Sequence, residues 1–129
     1  MNKRILVADD DLAIRSLLRE LLEEAYEVET ASDGLVAWER LSRHPGSYEA
    51  IVLDMHMPRM NGLQLIQTLR EQQGVVMHSV IALSSDSEAL QQAAGMGVSH
   101  MLEKPFDLEA VLALVAVVLT WKEDLAQSF

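Results

Sequence analysis

The sequence predicts a single α/β domain built on an open, doubly wound sheet of five parallel strands. Three observations carry this. Short apolar runs of strand length alternate with stretches of helical periodicity through five βα units. Four of those runs stop at acidic, hydroxyl or ammonium-bearing residues. All six glycines fall at the ends of elements rather than inside them.

The elements follow in order. Ile5-Leu6-Val7-Ala8 is the first strand and stops at Asp9-Asp10-Asp11. Leu12, Ile14, Leu17, Leu18, Leu21 and Leu22 then recur at helical spacing, with Asp11 placed to cap them. Glu27–Thr30 reads as an edge strand. Leu35–Leu41 gives a short helix that stops before His44-Pro45-Gly46. Ala50-Ile51-Val52-Leu53 is the third strand and stops at Asp54. Asn61-Gly62-Leu63-Gln64 resembles a capping box and opens a helix through about Gln72, which Gly74 closes. Val80-Ile81-Ala82-Leu83 is the fourth strand and stops at Ser84-Ser85. Ser85-Asp86-Ser87-Glu88 opens the next helix, ended by Gly95 and Gly97. His100–Glu103 is the fifth strand and leads into Lys104-Pro105. Asp107 caps the last helix, with Phe106 and Val111 at the spacing of a hydrophobic staple. Right-handed crossovers between these strands give three layers, helices on both faces of the sheet.

Bulk composition narrows the function. With 129 residues, half of them hydrophobic, the chain can bury one core and is too short for two ordinary domains. It has no cysteine, so neither a disulfide framework nor a thiolate metal site is available. Ten basic against twenty acidic residues give a net charge of −10 with no Lys/Arg cluster, which argues against nucleic-acid binding. Lys3-Arg4 precedes an apolar stretch too short for a signal peptide, so a soluble, cytoplasmic chain is expected.

Open parallel sheets bind ligands outside the carboxyl ends of their strands, where strand order reverses. That rule gathers Asp9, Asp10, Asp54, Ser84 and Lys104 into one site. Taken singly, each has a plainer reading: Asp9 to Asp11 as a solvated helix cap, Asp54 as a strand end, Ser84 as a turn hydroxyl, Lys104 as a solvated strand end. Taken together, they do not. Strands 1 and 3 flank the switch point, and carboxylates that close cannot all stay ionised without a cation. Hard oxygens with open positions suit Mg2+, which keeps waters and accepts phosphate oxygens.

Over nearly its whole length the chain resembles the receiver domain of two-component response regulators, single-domain chemotaxis regulators included. The residues that carry the resemblance are Ile5-Leu6-Val7-Ala8-Asp9-Asp10-Asp11, Val52-Leu53-Asp54-Met55-His56-Met57-Pro58-Arg59-Met60-Asn61-Gly62, Val80-Ile81-Ala82-Leu83-Ser84, and Glu103-Lys104-Pro105-Phe106. It implies a flavodoxin-like (βα)5 fold with strand order 2-1-3-4-5. It implies Asp54 as phosphoacceptor, with Asp10, Asp54 and the backbone carbonyl of His56 ligating Mg2+ and Asp9 acting largely through metal-bound water. Ser84 matches the family's conformational-switch hydroxyl, and Lys104 its phosphate-contacting lysine. His56 and Asp86 stand two residues past Asp54 and Ser84, where the family tunes phosphoryl lifetime. A cis Lys104–Pro105 peptide is expected, since proline permits what other residues do not.

Met101 departs from the pattern: the family usually has Tyr or Phe there, turning inward as the hydroxyl moves. Met101 reads equally as a flexible filler of an irregular gap. The implied partners are a sensor histidine kinase or phosphotransfer protein and a downstream protein or attached output domain on the face of helix 4, strand 5 and helix 5. A second copy of the chain is a further candidate for that face. The receiver domain would span residues 1–121, with 122–129 a frayed tail. Such a domain promotes only its own aspartyl phosphorylation and dephosphorylation. The rival is a Mg2+-dependent phosphatase or phosphotransferase with an aspartyl nucleophile. That class places a second carboxylate two residues after the nucleophile, where this chain has His56, and adds a cap for which there is no room.

Ala110 to Leu119 carries no polar residue, and a helix apolar all round is buried all round. The run is too short to span a bilayer. It reads either as a broad core face or as an interface, with Ala89, Ala93 and Ala94 of the preceding helix permitting close approach. His44, His78 and His100 show no metal-ligand spacing and read as surface or strand-end residues.

Overall fold

The structure, a computed structural model, describes residues 3–44, 46–71 and 77–127, with backbone alone for 125–127. Five strands alternate with five helices: β1 (Arg4–Ala8), α1 (Leu12–Glu23), β2 (Glu27–Ala31), α2 (Gly34–Arg43), β3 (Ala50–Asp54), α3 (Gly62–Arg70), β4 (Val80–Ser84), α4 (Ser87–Gly95), β5 (His100–Glu103) and α5 (Leu108–Gln127). A short 3-10 turn, Met77–Ser79, leads into β4. All four strand pairings are parallel and the order is β2-β1-β3-β4-β5, the predicted doubly wound topology.

The sheet is covered on both faces because its strands are apolar on both. Leu6, Ala8, Ile51, Leu53, Val80 and Ala82 join the core formed with α2, α3 and α4. Ile5, Val7, Ala50, Val52, Ile81 and Leu83, their immediate neighbours in sequence, join the core formed with α1 and α5. Alternation of side chains across a strand makes this division automatic. Leu6 and Leu53 are fully buried, and truncating either to Ala costs about 2 to 5 kcal/mol.

The caps hold the helices where the sequence places them. Asp11 accepts from the backbone N–H groups of Ala13 and Ile14, and Asp86 from that of Glu88. Asn61 and Gln64 exchange hydrogen bonds of 2.9 Å in a complete capping box. Phe106 and Val111 lie in the same core cluster, as a staple requires. The Lys104–Pro105 peptide is cis.

Several boundaries differ from expectation. β2, β3 and β4 each run one residue longer, so Asp54 and Ser84 are the last residues of their strands, in register with Leu83 and Glu103. Strand pairing continues past the apolar run because it needs only backbone groups. α2 begins at Gly34 and continues to Arg43, beyond Leu35–Leu41. Asp33, unremarked in the sequence, caps it through Val36 N–H. A Cβ at Gly34 would lie 1.6 Å from the Met60 carbonyl oxygen, so only glycine lets α2 approach the β3–α3 loop. α3 ends at Arg70 with Glu71 as its cap, two residues short of Gln72. Gln72 and Gly74 lie outside the described residues.

α5 also corrects two expectations. It does not give way to a tail at residue 122 but continues helical to Gln127. No helix breaker follows Trp121, and Lys122 and Glu123 pair with Glu49 and Lys3 at 3.9 and 3.5 Å. Nor is the Ala110–Leu119 run buried all round. Val111, Val115, Val118 and Leu119 face the sheet, while Ala113, Ala116 and Val117 are exposed. Ala89 and Ala93 of α4 likewise turn inward, leaving Ala94 of those three on the surface. Small residues there let the helix sit close to its own sheet.

Candidate functional site

The carboxyl ends of β1, β3, β4 and β5 lie at one edge of the sheet, and there Asp9, Asp10, Asp54 and Lys104 converge. Asp9 is fully buried, Asp54 is 3% exposed and Asp10 is open to solvent. One carboxylate oxygen from each lies within 4.8 Å of the others. Lys104 enters from the β5 end, its Nζ 3.1 Å from Asp9 Oδ2 and 3.5 Å from Asp54 Oδ2.

Backbone hydrogen bonds fix these carboxylates. The N–H of Asp11 donates to Asp9 Oδ1 at 2.9 Å, and the N–H of His56 donates to Asp54 Oδ1 at 3.2 Å. The Asp9 carbonyl accepts from the Arg15 guanidinium at 2.8 Å. Ser84 is fully buried and its Oγ accepts from Asp86 N–H at 3.0 Å, while its carbonyl accepts from Lys104 N–H at 2.8 Å. β4 thereby joins the hydroxyl, the α4 cap and the lysine in one continuous path.

The electrostatics reflect crowding. Burial, then the neighbouring Asp9 charge, pushes the Asp54 carboxyl up to about 7, against the opposing pull of the His56 N–H and Lys104. Burial opposes the charge on Lys104, but Asp54 and Asp9 outweigh it and hold the ammonium above the ordinary lysine range. Negative charge thus exceeds what one ammonium neutralises. Three hard-oxygen donors, one of them open to water, fit a divalent cation of the Mg2+ type.

His56 and Asp86 face each other across the pocket's rim, with Nε2 3.6 Å from Oδ2. Met101 pairs with Ala82 across β4 and β5 and packs, half-buried, into the α2–α4 side of the core. Two groups escaped the sequence reading. Arg15 signals nothing in sequence beyond its place one turn past Asp11. Arg59, whose φ is +65°, clamps Asp33 at 2.8 Å and braces the β3–α3 loop beside the pocket.

Fold and pocket together define a carboxylate-and-lysine centre at the switch point of a doubly wound sheet. The response regulator receiver domain family matches residues 5–116, and the chain belongs to it. The response regulator MprA of Mycobacterium leprae is 38% identical over 130 residues, covering 97% of this chain and 55% of that protein. The CpxR homologue of Haemophilus influenzae, a transcriptional regulatory protein, is 33% identical over 119 residues, 90% of this chain and 50% of that one. The chemotaxis response regulator CheY4 of Vibrio cholerae superposes with a TM-score of 0.82 at 29% identity, over 92% of this chain and all of that one. This chain spans about half the length of the curated relatives it matches. It is a receiver domain of two-component signalling, a regulatory module rather than a conventional enzyme. Among the described residues, no helix is long and apolar enough to cross a membrane.

Proposed function

We propose that Asp54 accepts a phosphoryl group from the phosphohistidine of a sensor histidine kinase or phosphotransfer protein, with Mg2+ bound, and that the charge gained changes the contacts made by the face of α4, β5 and α5. The observation that carries this is the burial of Asp54 between Asp9 and Lys104 at the last position of β3. Asp10, Asp54 and the His56 carbonyl would hold Mg2+, with Asp9 acting through its water, and the bound ion supplies charge neutralisation for phosphoryl transfer. Asp54 attacks through its Oδ2 side, since Oδ1 is engaged by the His56 N–H. Lys104, already 3.5 Å from Oδ2, stabilises the charge on the incoming oxygens.

A cleft beside the lysine supports docking of the donor there. An apolar cleft of about 470 Å3, lined by Ile14, Leu17, Ser85, Lys104, Pro105, Phe106 and Leu108, opens beside the lysine. Ser84 then follows the new charge as a hydroxyl donor, exchanging its present role as acceptor from Asp86. His56 and Asp86, paired at the rim, govern access of water to the product. Met101 lacks a ring with two defined orientations, so the change around β5 is smaller than in relatives with an aromatic there. Amide exchange with and without a phosphoryl mimic tests that; a large, discrete protection change centred on Met101 would overturn it.

The phosphatase or phosphotransferase reading is not favoured, because His56 occupies the place of its second carboxylate. Treatment with acetyl phosphate and Mg2+ is expected to give one phosphoryl adduct by intact mass. Chelator or Asp54→Asn abolishes it. An adduct that persists in Asp54→Asn refutes the assignment.

A further inference from the structure

We propose that His78 and His100 form a second metal site, taking a transition-metal ion of the zinc class at the end of the sheet opposite the aspartates. The sequence reads these histidines as surface or strand-end residues, and His100 does open β5; the folded chain also brings the two rings together. His78 lies in the 3-10 turn before β4, and His100 opens β5 opposite Ile81. Parallel pairing of β4 with β5 brings them together from 22 positions apart. Their Nε2 atoms are 3.2 Å apart and their ring planes cross at 77°.

That separation has chemical meaning. At Zn–N bonds of about 2.0 to 2.1 Å, nitrogens 3.2 Å apart subtend roughly 100° at the ion, close to the tetrahedral angle. The plainer account is an Nε2–H···Nε2 hydrogen bond, which needs the two rings in different tautomers. Metal binding needs both in the Nδ1–H form, and a modest tilt of each ring aims both lone pairs at one point. Burial, then the proximity of His78, holds His100 below the ordinary imidazole range. Trp121 of α5 packs on His78 with ring centres 3.9 Å apart, limiting that ring's rotation.

The chemistry also selects the ion. Imidazole nitrogen favours zinc, copper and nickel and binds magnesium poorly, whereas the carboxylate pocket suits magnesium, which competes with zinc there when in excess. The cluster of three potential ligands among the described residues is the aspartate pocket, so water completes the coordination at the histidines. Such an open, two-histidine site exchanges its metal readily, unlike a closed structural zinc site. Bound metal would tie the β4 approach and the start of β5 together under α5, a second input to the same edge of the sheet. The site stands on its own geometry and does not depend on phosphorylation of Asp54.

Calorimetric titration with Zn2+, in saturating Mg2+, is the direct test. One Zn2+ per chain is expected. His78→Ala, His100→Ala and the ring-preserving His100→Phe should each weaken it more than about tenfold, since even outer-shell losses cost that much. Asp10→Asn should leave it unchanged. In a Trp38→Phe background Trp121 is the sole tryptophan, and its emission should change saturably with Zn2+ and lose that response in His100→Phe. Absence of Zn2+ binding in Mg2+, binding that survives the histidine substitutions, or binding abolished by Asp10→Asn would each overturn the proposal.

Discussion

Asp54 illustrates how a single buried carboxyl sets a conflict between stability and chemistry. Its folded-state value of about 7 lies above the ordinary 3.8, so the folded chain binds the proton more tightly than the unfolded one. In the absence of metal, Asp54 therefore costs stability progressively as pH rises from about 4 to about 7, and the full cost persists above. Asp54→Asn should be the more stable protein at pH 8 by a few kcal/mol, with the difference vanishing near pH 4. Urea unfolding of both proteins across that range, in chelator, checks this. An advantage that grows toward acid would show the carboxyl to be stabilised by its surroundings instead. The pairing of residue type with strand end made Asp9, Asp54, Ser84 and Lys104 legible in the sequence. Arg59 and the His78–His100 pair were not, because their partners are set by loop conformation and strand register rather than by local spacing.

Among elements, α5 separates what composition reveals from what geometry decides. Ten consecutive apolar residues announce a helix with more hydrophobic surface than a sheet needs, but not which side is covered. Val118 is fully buried and Val117 beside it is half exposed. Val118→Asp should cost about 4 kcal/mol by burying an unpaired charge, and Val117→Asp should stay within about 0.5 kcal/mol in the isolated chain. Equilibrium unfolding distinguishes them. If Val117→Asp also lowers the mass seen by light scattering at high concentration, the exposed stripe mediates self-association. The elements themselves were legible because caps, glycines and periodicity agree on them. Their ends were less so: Gly34 has poor helix propensity, and its place as the first residue of α2, tight against Met60, is something no local signal reports.

At the scale of the whole molecule, a net charge of −10 and three converging carboxylates give the domain a cluster able to hold a cation. Mg2+ that binds only the folded state should stabilise it by about 2.7 kcal/mol at a hundredfold excess over Kd. The gain should be larger at pH 8 than at pH 5.5, because protonated Asp54 competes with the metal. Thermal unfolding with Mg2+ against chelator measures it, and Asp10→Asn should remove most of the effect. An equal gain in Asp10→Asn would place the bound ion elsewhere. The fold class was legible from alternation alone, since five buried strands joined by helices leave few topologies. One feature of that topology reaches further. Asp54 and Ser84 close strands that are paired into the sheet, whereas the α1, α4 and α5 surfaces proposed to meet other proteins are side chains on separable elements. Chemistry and address are therefore stored in different parts of the chain. A lineage can rewrite whom the domain talks to, substitution by substitution on helix exteriors, without disturbing what it says.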